Sequence, residues 1–497
     1  MAAAGVAGLA VSACSSSSNT GKPTLGSQGD SGSTASGDDE KAGDAGDAGT
    51  SPDAGTSPDG SLPMALSSAP RQAPGDVPAA SLQGAVAANN AFAVDLFTRL
   101  VGPADAGAGA TNGITSPFSA SLALTMTYAG AKNATATQMA TALHFGGAAG
   151  GIFDGQNALS QAIAGRGQAA YADATAAAAQ NNGIGATTPA PSAGDYQLQV
   201  VNAVWGQQGY AWEAPFLDVL AKSYGTGVFL QDFADAFDSA RLAINGWVSD
   251  ETAGKIAGLL PPQSLDASTR MVLVDAIHLK LPWASPHLFD PGGTSAATFT
   301  RADGSTVSAP FMHTSVNAAY LDSGDAQTIA LPLAGGQVEV VITLPHGDLA
   351  AYEATLAATS PPLVLPDTPV YVELSLPKVS FTSATFSLKN VLEAMGMPGA
   401  FDAASADFTG LCAHTPDGQK LHLGDVLQKA EIGIQETGVE AAAATAVVIA
   451  DGAGPPSFPE PILMTVNRPY LVSIVDAPTR AVLFLGHITD PTNAGSP

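Results

Sequence analysis

The stretch Gln435–Val448, which reads QETGVEAAAATAVV, is the most informative part of this 497-residue chain. A strand-like run enters it, Gly438 interrupts that run, and small uncharged residues follow as far as a proline-rich loop. The high helix propensity of Ala441–Ala444 favours a helix, whereas a plain surface loop would carry more polar side chains. Neither structure accounts for the whole stretch.

Small side chains at alternate positions fit a segment that is exposed at one time and becomes a central strand at another. The inward-pointing side chains of such a strand must fit a core that has already formed. Ala441, Ala443 and Thr445 satisfy one alternation. The stretch therefore indicates a loop that can enter a sheet.

The surrounding chain predicts one large α+β domain. Strand-like runs occur without a regular βαβ alternation, which argues for large mixed or antiparallel sheets with surrounding helices and against a doubly wound nucleotide-binding fold. Helices are expected at 89–101, 117–130 and 134–145, with weaker ones at 158–164 and 169–179. Strands are expected at LQVVNAVW (198–205), RMVLVDAIHL (270–279), VEVVITL (338–344), VYVELSL (370–376) and AVLFLGHI (481–488).

The overall charge excludes one class of partner. The chain has 44 acidic and 18 basic residues, and its formal charge is -26. Such a charge repels a phosphate backbone, so nucleic acid is not expected as a partner. Heparin-like polyanions are disfavoured for the same reason.

The sequence lacks the local signatures of common enzyme and metal sites. It contains no HExxH, CxxC, GxSxG or GxxxxGK[ST] motif, and no two histidines have a spacing typical of metal ligands. Cys412 has no companion thiol, which favours a buried, inert cysteine over a nucleophile. The sequence predicts no metal, no cofactor and no catalytic residue.

The first 14 residues, MAAAGVAGLAVSAC, form a short apolar run that resembles a bacterial lipoprotein signal ending at the lipobox cysteine, Cys14. A flexible N-terminus with an incidental cysteine is the alternative. Residues 15–80 are rich in Ser, Gly, Asp and Pro and predict a disordered, solvated tether. The folded domain is expected to span 81–497.

The motifs of Asn89–Pro491 together resemble the serpin family of serine-protease inhibitors. Gln435–Val448 is similar to the family's hinge consensus almost residue for residue. Further family-like motifs follow in the family's order, and these are NGITSPFSASLALTMTYAG (112–130), LQVVNAVWGQ (198–207), AINGWVSDETAGKIAGLLPP (243–262), RMVLVDAIHLKLPW (270–283), LPKVSF (376–381), NRPYLVSI (467–474) and AVLFLGHITDP (481–491).

This resemblance implies a serpin fold with an exposed reactive-centre loop. After cleavage, the loop of a serpin inserts into the central sheet as an added strand, and the protease is trapped as an acyl-enzyme. The resemblance assigns the hinge to Glu436, Gly438, Val439 and Glu440. The residues that must then enter the sheet are Ala441, Ala442, Ala443, Ala444 and Thr445.

The resemblance also implies a region that controls sheet opening, and ordinary core packing is the alternative explanation for its residues. The matching positions are Ser116, Ser119, Asn202 and Trp283. Two further positions depart from the family pattern, since Asp275 stands where Asn is usual and Gln428 where His is expected. We expect these two residues to compensate through a hydrogen bond from the Gln428 amide to the Asp275 carboxylate.

The family's usual spacing from Glu436 places the scissile bond at Gly452–Ala453. The loop up to Asn467 is long, so several alternatives stay open, namely Ile449, Ala450, Asp451 and Phe458. Residues 436–467 contain no Lys or Arg, whereas a trypsin-like pocket requires a cationic side chain. Small aliphatic residues favour an elastase-like or subtilisin-like target, and Phe458 would suit a chymotrypsin-like one.

The sequence thus predicts a monomeric inhibitor of a serine protease, or of a cysteine protease, and not an enzyme. An extracytoplasmic location is expected, either in the cell envelope or secreted, with membrane contact only through a lipid anchor at Cys14. The alternative function is a serpin-fold binding or surface protein that does not inhibit. A secreted hydrolase is disfavoured because no nucleophile motif is present.

Overall fold

The computed structural model of the protein describes residues 62–100, 111–183, 190–356, 363–439 and 460–495. Several predicted features lie outside these ranges, namely Cys14, residues 1–61 of the signal and tether, and the loop residues 440–459 with the candidate scissile bonds. Within the described ranges, no helix is long and apolar enough to cross a membrane.

Ten α-helices lie within the described residues. Proline occupies the first turn of α2, where its missing N–H costs no hydrogen bond. The helices are α1 (Ala79–Leu100), α2 (Pro117–Tyr128), α3 (Asn133–Ala142), α4 (Ile152–Ala164), α5 (Arg166–Gly183), α6 (Ala214–Val219), α7 (Phe233–Glu251), α8 (Leu349–Leu356), α9 (Lys389–Ala394) and α10 (Pro398–Phe401).

The strands of the described residues are short to medium in length, and one of them, β7, is long. They are β1 (Met64–Ala65), β2 (Gly113–Thr115), β3 (Gln197–Gln207), β4 (Val228–Gln231), β5 (Met271–Pro282), β6 (Ser295–Thr300), β7 (Thr306–Asp322), β8 (Ala326–Pro332), β9 (Val338–Pro345), β10 (Pro369–Pro377), β11 (Val379–Thr382), β12 (Phe386–Ser387), β13 (Leu427–Gln428), β14 (Glu431–Gln435), β15 (Gly438–Val439), β16 (Ile462–Thr465), β17 (Tyr470–Asp476) and β18 (Ala481–Ile488).

Two large sheets organise these strands. The seven-stranded sheet has the order β1-β4-β3-β5-β15-β14-β11, and the nine-stranded sheet has the order β16-β10-β7-β8-β9-β17-β18-β2 with β6 paired to β7. Parallel and antiparallel pairs occur in both sheets. The predicted α+β class with large mixed sheets is confirmed, and each of the five predicted strand runs forms a strand.

The seven-stranded sheet is buried on both faces. Alternate residues of β3 and β5, including Trp205 and Val274, pack against the buried stripe of α7 on one face. The intervening residues, including Ile277, pack with Phe118 and Leu122 of α2 on the other. The alternation follows from the twofold period of a strand. Asp275 alternates with Val274 and Ala276, so its side chain lies on the same face as Leu273 and Ile277, towards α2.

The segment 62–78 is part of the fold, which corrects the predicted end of the tether at residue 80. Met64 and Ala65 pair antiparallel with Phe229 and Val228 at the edge of the seven-stranded sheet. Arg71 donates hydrogen bonds of 3.0 and 3.1 Å to side chains of α4. The composition of this segment does not predict the strand. A strand of two residues forms only where the edge of an existing sheet supplies its partner.

Candidate functional site

The first described part of the hinge, Gly438–Val439, lies inside the seven-stranded sheet. After β14 the chain turns back, and β15 takes a place between β5 and β14. Val439 pairs with Leu281 on one side and Ile434 on the other, and it is only 3% exposed. The structure describes the chain up to Val439, so the predicted hinge residues Glu440–Thr445 lie outside it.

Gly438 is required by the geometry of this turn. Its φ of +143° lies in a region that side chains rarely adopt, and a Cβ would come within 2.3 Å of the Leu281 carbonyl oxygen. The absence of a side chain therefore allows the hinge to pass between the two flanking strands.

Glu436 is anchored at the base of the loop. Its carboxylate lies 2.7 Å from Lys378 Nζ and accepts a hydrogen bond of 2.7 Å from Thr294 Oγ1. Partial burial acts to raise the pKa of Glu436, but the hydrogen bonds from Lys378 and Thr294 outweigh it and hold the pKa below its ordinary value. The carboxylate is therefore ionised at neutral pH and fixes the start of the hinge.

Trp283 lies directly against the turn that leads into β15. Its indole N–H donates a 2.8 Å hydrogen bond to the Gln435 carbonyl, and its backbone N–H donates to the Thr437 carbonyl at 3.3 Å. The ring is 1% exposed and packs edge-on against Phe289. Trp283 thus lies where the loop enters the sheet, as the resemblance implied.

Gln428 and Asp275 form the hydrogen bond that the sequence predicted. Gln428 Nε2 donates to Asp275 Oδ2 at 3.2 Å and also to the Ser116 carbonyl at 2.9 Å. Gln428 Oε1 accepts from the Ser116 N–H at 3.1 Å and from Thr115 Oγ1 at 2.5 Å. One amide therefore joins β13, β5 and the start of α2.

Asp275 is a buried carboxyl with little compensation for its desolvation. It is 1% exposed, and its Oδ1 has no hydrogen-bond partner among the described residues. Burial raises the pKa of Asp275 well above its ordinary value, and the hydrogen bond from Gln428 opposes this only in part. Burial therefore favours the neutral, protonated form of Asp275 more than in an exposed aspartate.

The remaining predicted sheet-opening residues lie close by in the fold but are not all bonded. Ser116 Oγ donates to the Leu483 carbonyl at 2.9 Å, which ties α2 to β18. Asn202 stands opposite Asp275 in the β3–β5 register. The side chains of Asn202 and Ser119 have no hydrogen-bond partner within the described part of the chain. Burying two polar side chains without partners costs free energy in this arrangement.

Three residues of this site were missed in the sequence, namely Thr115, Thr294 and Lys378. Thr115 and Lys378 stand in quoted motifs, but their chemistry gave no signal. Lys378 is 58 positions before Glu436, and only the packing of the loop base onto the strand ends brings them together. Among the described residues, no group of His, Cys, Asp or Glu could hold a metal ion.

The seven-stranded sheet contains the first residues of the loop, Gly438–Val439, as a strand between β5 and β14. This arrangement is that of a protein whose loop can insert into its own sheet. A family model described as serpin (serine protease inhibitor) matches residues 87–491. The chain therefore belongs to the serpin family.

Individual relatives agree with this assignment. An uncharacterised serpin-like protein of Thermococcus kodakarensis is 31% identical over 82% of this chain and 85% of its own length. Human plasminogen activator inhibitor 2 is 28% identical over 81% of this chain and 99% of its own length. The crystal structure of tengpin, a thermophilic serpin, in its native state superposes with a TM-score of 0.67 at 23% identity, covering 86% of this chain and 97% of tengpin.

Proposed function

We propose that this serpin inhibits a serine-type endopeptidase as a suicide substrate. The observation that carries the proposal is the position of Val439, which is buried and paired between two strands as the first inserted residue of the loop. Because Val439 pairs between β5 and β14, the loop residues that follow it can extend the same strand. The chain would act as an inhibitor and not as an enzyme.

The dimensions of the sheet support insertion of the whole hinge. β5 has twelve residues, of which Leu281 and Pro282 pair with β15, so ten residues from Met271 to Lys280 extend beyond the pair. The ten residues Glu440–Ile449 that follow β15 are mostly small or apolar. Small side chains fit between strands whose faces are already packed.

The covalent step follows from acyl transfer. The serine Oγ of the protease attacks the carbonyl of the scissile peptide bond, the amine of the next residue leaves, and an ester joins protease and loop. Insertion of the freed loop before water reaches the ester would trap the complex. The same chemistry applies to a cysteine protease through a thioester.

The loop composition supports an elastase-like or subtilisin-like target. Val448, Ile449 and Ala450 suit small aliphatic pockets, and residues 436–467 contain no cationic side chain. Gly452–Ala453 is the proposed scissile bond. Phe458 would direct the inhibitor to a chymotrypsin-like enzyme if cleavage occurs further along.

The N-terminal sequence supports an action outside the cytoplasm, at the cell envelope or secreted, and the inhibitor is proposed to act as a monomer. Lipidation of Cys14 would place the inhibitor on a membrane surface through a tether of Ser, Gly, Asp and Pro residues. Globomycin-sensitive processing, measured as a mass shift of the N-terminal peptide, tests this part separately.

The test of inhibition is incubation with elastase, subtilisin, chymotrypsin and trypsin, followed by denaturing gels. A covalent complex with one of the first three is expected, and mass spectrometry of the released C-terminal peptide identifies the scissile bond. Cleavage without a complex and without a rise in thermal stability would contradict inhibition. It would favour the alternative, a serpin that binds a partner without trapping a protease.

A further inference from the structure

The seven-stranded sheet ends in β1 on one side and in β11 on the other. β1 is only two residues long, and a short edge strand gives another chain little to pair with. β11 has four residues, and its outer edge is covered by chain that follows β18. The Thr382 N–H of β11 donates a 3.0 Å hydrogen bond to the Ala494 carbonyl, and Thr382 forms a parallel bridge with Gly495. We call residues 490–495 the edge segment.

The edge segment covers the side of β11 that faces away from β14. Successive N–H groups of a strand point to opposite sides, so the bond from Thr382 to the edge segment marks the even-numbered residues of β11 as outward. Lys378, directly before β11, has the same parity, and its N–H donates to the Pro310 carbonyl at 2.9 Å. The amide of Ser380 lies between these two bonded amides. The free stretch of this edge is therefore one residue long.

Gly495 allows the edge segment to lie this close to β11. Its φ is +78°, and a Cβ at this position would overlap the Thr382 carbonyl oxygen and the Phe381 ring. The Gly495 N–H also donates a 2.9 Å hydrogen bond to Asn493 Oδ1, which fixes the turn of the segment. Any side chain at residue 495 should therefore push the segment off the edge.

The start of the edge segment is held by two residues that do not belong to β11. Arg301 Nε lies 2.6 Å from the Asp490 carboxylate. The side chain of Asn112, which is 5% exposed, donates to the carbonyl groups of Asp490 at 2.7 Å and of Asn493 at 3.1 Å. A change at Gly495 should therefore uncover β11 and leave the rest of the segment in place.

We propose that the edge segment prevents a second copy of the chain from adding a strand to β11. An uncovered edge presents N–H and C=O groups that pair with an extended strand of another molecule. The chain itself supplies a suitable strand, because residues 441–450 are uncharged, contain no proline and include several β-branched side chains. The loop of the same molecule enters between β5 and β14, so it does not cover β11.

The experiment uses the full chain with Gly495→Ala, which places a methyl group against the Thr382 carbonyl. Loss of one backbone hydrogen bond shifts the ratio of covered to uncovered edge about fivefold, and hydrogen exchange of peptides from β11 should accelerate by about that factor. Light scattering after size exclusion should detect dimers and larger species whose fraction rises with concentration. Gly304→Ala is the matched control, because Gly304 has a φ of +80° and open space around its Cβ. This control should remain monomeric.

A double variant, Gly495→Ala with Ser380→Pro, identifies the edge at which the copies meet. Proline removes the outward N–H of Ser380 that an added strand requires, and it leaves the inward hydrogen bonds of β11 to β14 intact. The double variant should return to a monomer. Oligomers that persist in it would place the association on another surface and overturn the inference.

A Gly495→Ala variant that stays monomeric at every concentration, although exchange in β11 is faster, would also overturn the inference. Unchanged exchange in both Gly495→Ala and Gly495→Val would contradict the geometry on which the inference rests. Association of Gly304→Ala to the same extent would assign the effect to backbone strain and not to the edge. The oligomeric state decides this inference whether or not the chain inhibits a protease.

Discussion

Gln428 of β13 donates a hydrogen bond of 3.2 Å to the carboxyl group of Asp275 on β5. The same side chain also donates to the backbone carbonyl of Ser116, the residue directly before α2. Gln428 precedes β14 by three residues, and β15 lies between β5 and β14. Insertion of further loop residues would therefore separate the two parts of the chain that this bond joins. The partner of this buried carboxyl group is a neutral amide. The stability of the closed sheet should therefore depend on whether Asp275 is ionised.

The first prediction concerns the pH dependence of the native state. The pKa of Asp275 is raised by folding, so its contribution to the free energy of unfolding is fully present below the unfolded pKa of about 3.9 and declines as pH rises towards the folded pKa. Asp275→Asn removes this decline. Thermal midpoints measured from pH 4 upwards should favour the variant increasingly as pH rises from the unfolded pKa to the folded pKa of Asp275, and the gain should then level off.

Asp303→Asn serves as the control for Asp275→Asn, since Asp303 is an exposed carboxylate whose pKa is lowered by hydrogen bonds from Ser305. The Asp303→Asn variant should show no gain in thermal midpoint over the wild type as pH rises. Parallel pH profiles for the wild type and Asp275→Asn would contradict the argument.

The second prediction concerns the ion pair at the loop base. Lys378 and Glu436 side chains are 32% and 11% exposed, so solvent weakens the pair and about 1 kcal/mol is expected from a double-mutant cycle of Glu436→Gln and Lys378→Met. The pKa of Glu436 is lowered by folding. Its contribution is therefore present above the unfolded pKa and is lost as pH falls through the folded pKa.

Glu373→Gln provides the comparison for this cycle, because Glu373 is an exposed carboxylate on β10, the strand that ends directly before Lys378. The quantity to measure is the denaturant midpoint of the native transition at pH 7 and at pH 4. A coupling energy near zero at pH 7 would show that the pair does not stabilise the hinge.

The third prediction concerns Val439. A carboxylate at this buried position lacks a cation, and burying an unpaired charge costs several kcal/mol. Val439→Glu should slow loop insertion, and about 1.4 kcal/mol of added barrier would raise the ratio of hydrolysed to trapped acyl-enzyme tenfold, which is measured as a rise in the stoichiometry of inhibition. Val439→Thr keeps the shape and should remain an inhibitor. Efficient trapping by Val439→Glu would argue against insertion through β15.

The fourth prediction concerns the N-terminal segment. Removal of residues 2–61 should leave the thermal midpoint unchanged, because a segment rich in Ser, Gly, Asp and Pro has few apolar side chains to bury. Removal of residues 2–77 deletes β1 and the hydrogen bonds of Arg71 and Ser67 to α4 and Asp218, each worth about 1 kcal/mol. The longer truncation should lower the midpoint by several degrees, as followed by circular dichroism. Equal midpoints would mean that the edge strand adds nothing.

Much of the fold was predictable because long strands and helices carry their own periodic signal. The runs that became β3, β5, β9, β10 and β18 alternate or stay apolar over seven residues or more. The two-residue strands β1 and β15 carry no such signal. They exist because neighbouring strands offer edges, and the sequence within them does not encode the pairing.

The sequence by itself determined the serpin family and the Gln428–Asp275 pair, because these depend on residue types in a fixed order. The hinge with its small residues stays a prediction of the sequence. Only the tertiary structure decided that Val439 is paired between two strands and that Lys378 holds Glu436. These contacts join residues that are remote in the chain. Their geometry is set by sheet register and packing, which no local pattern records.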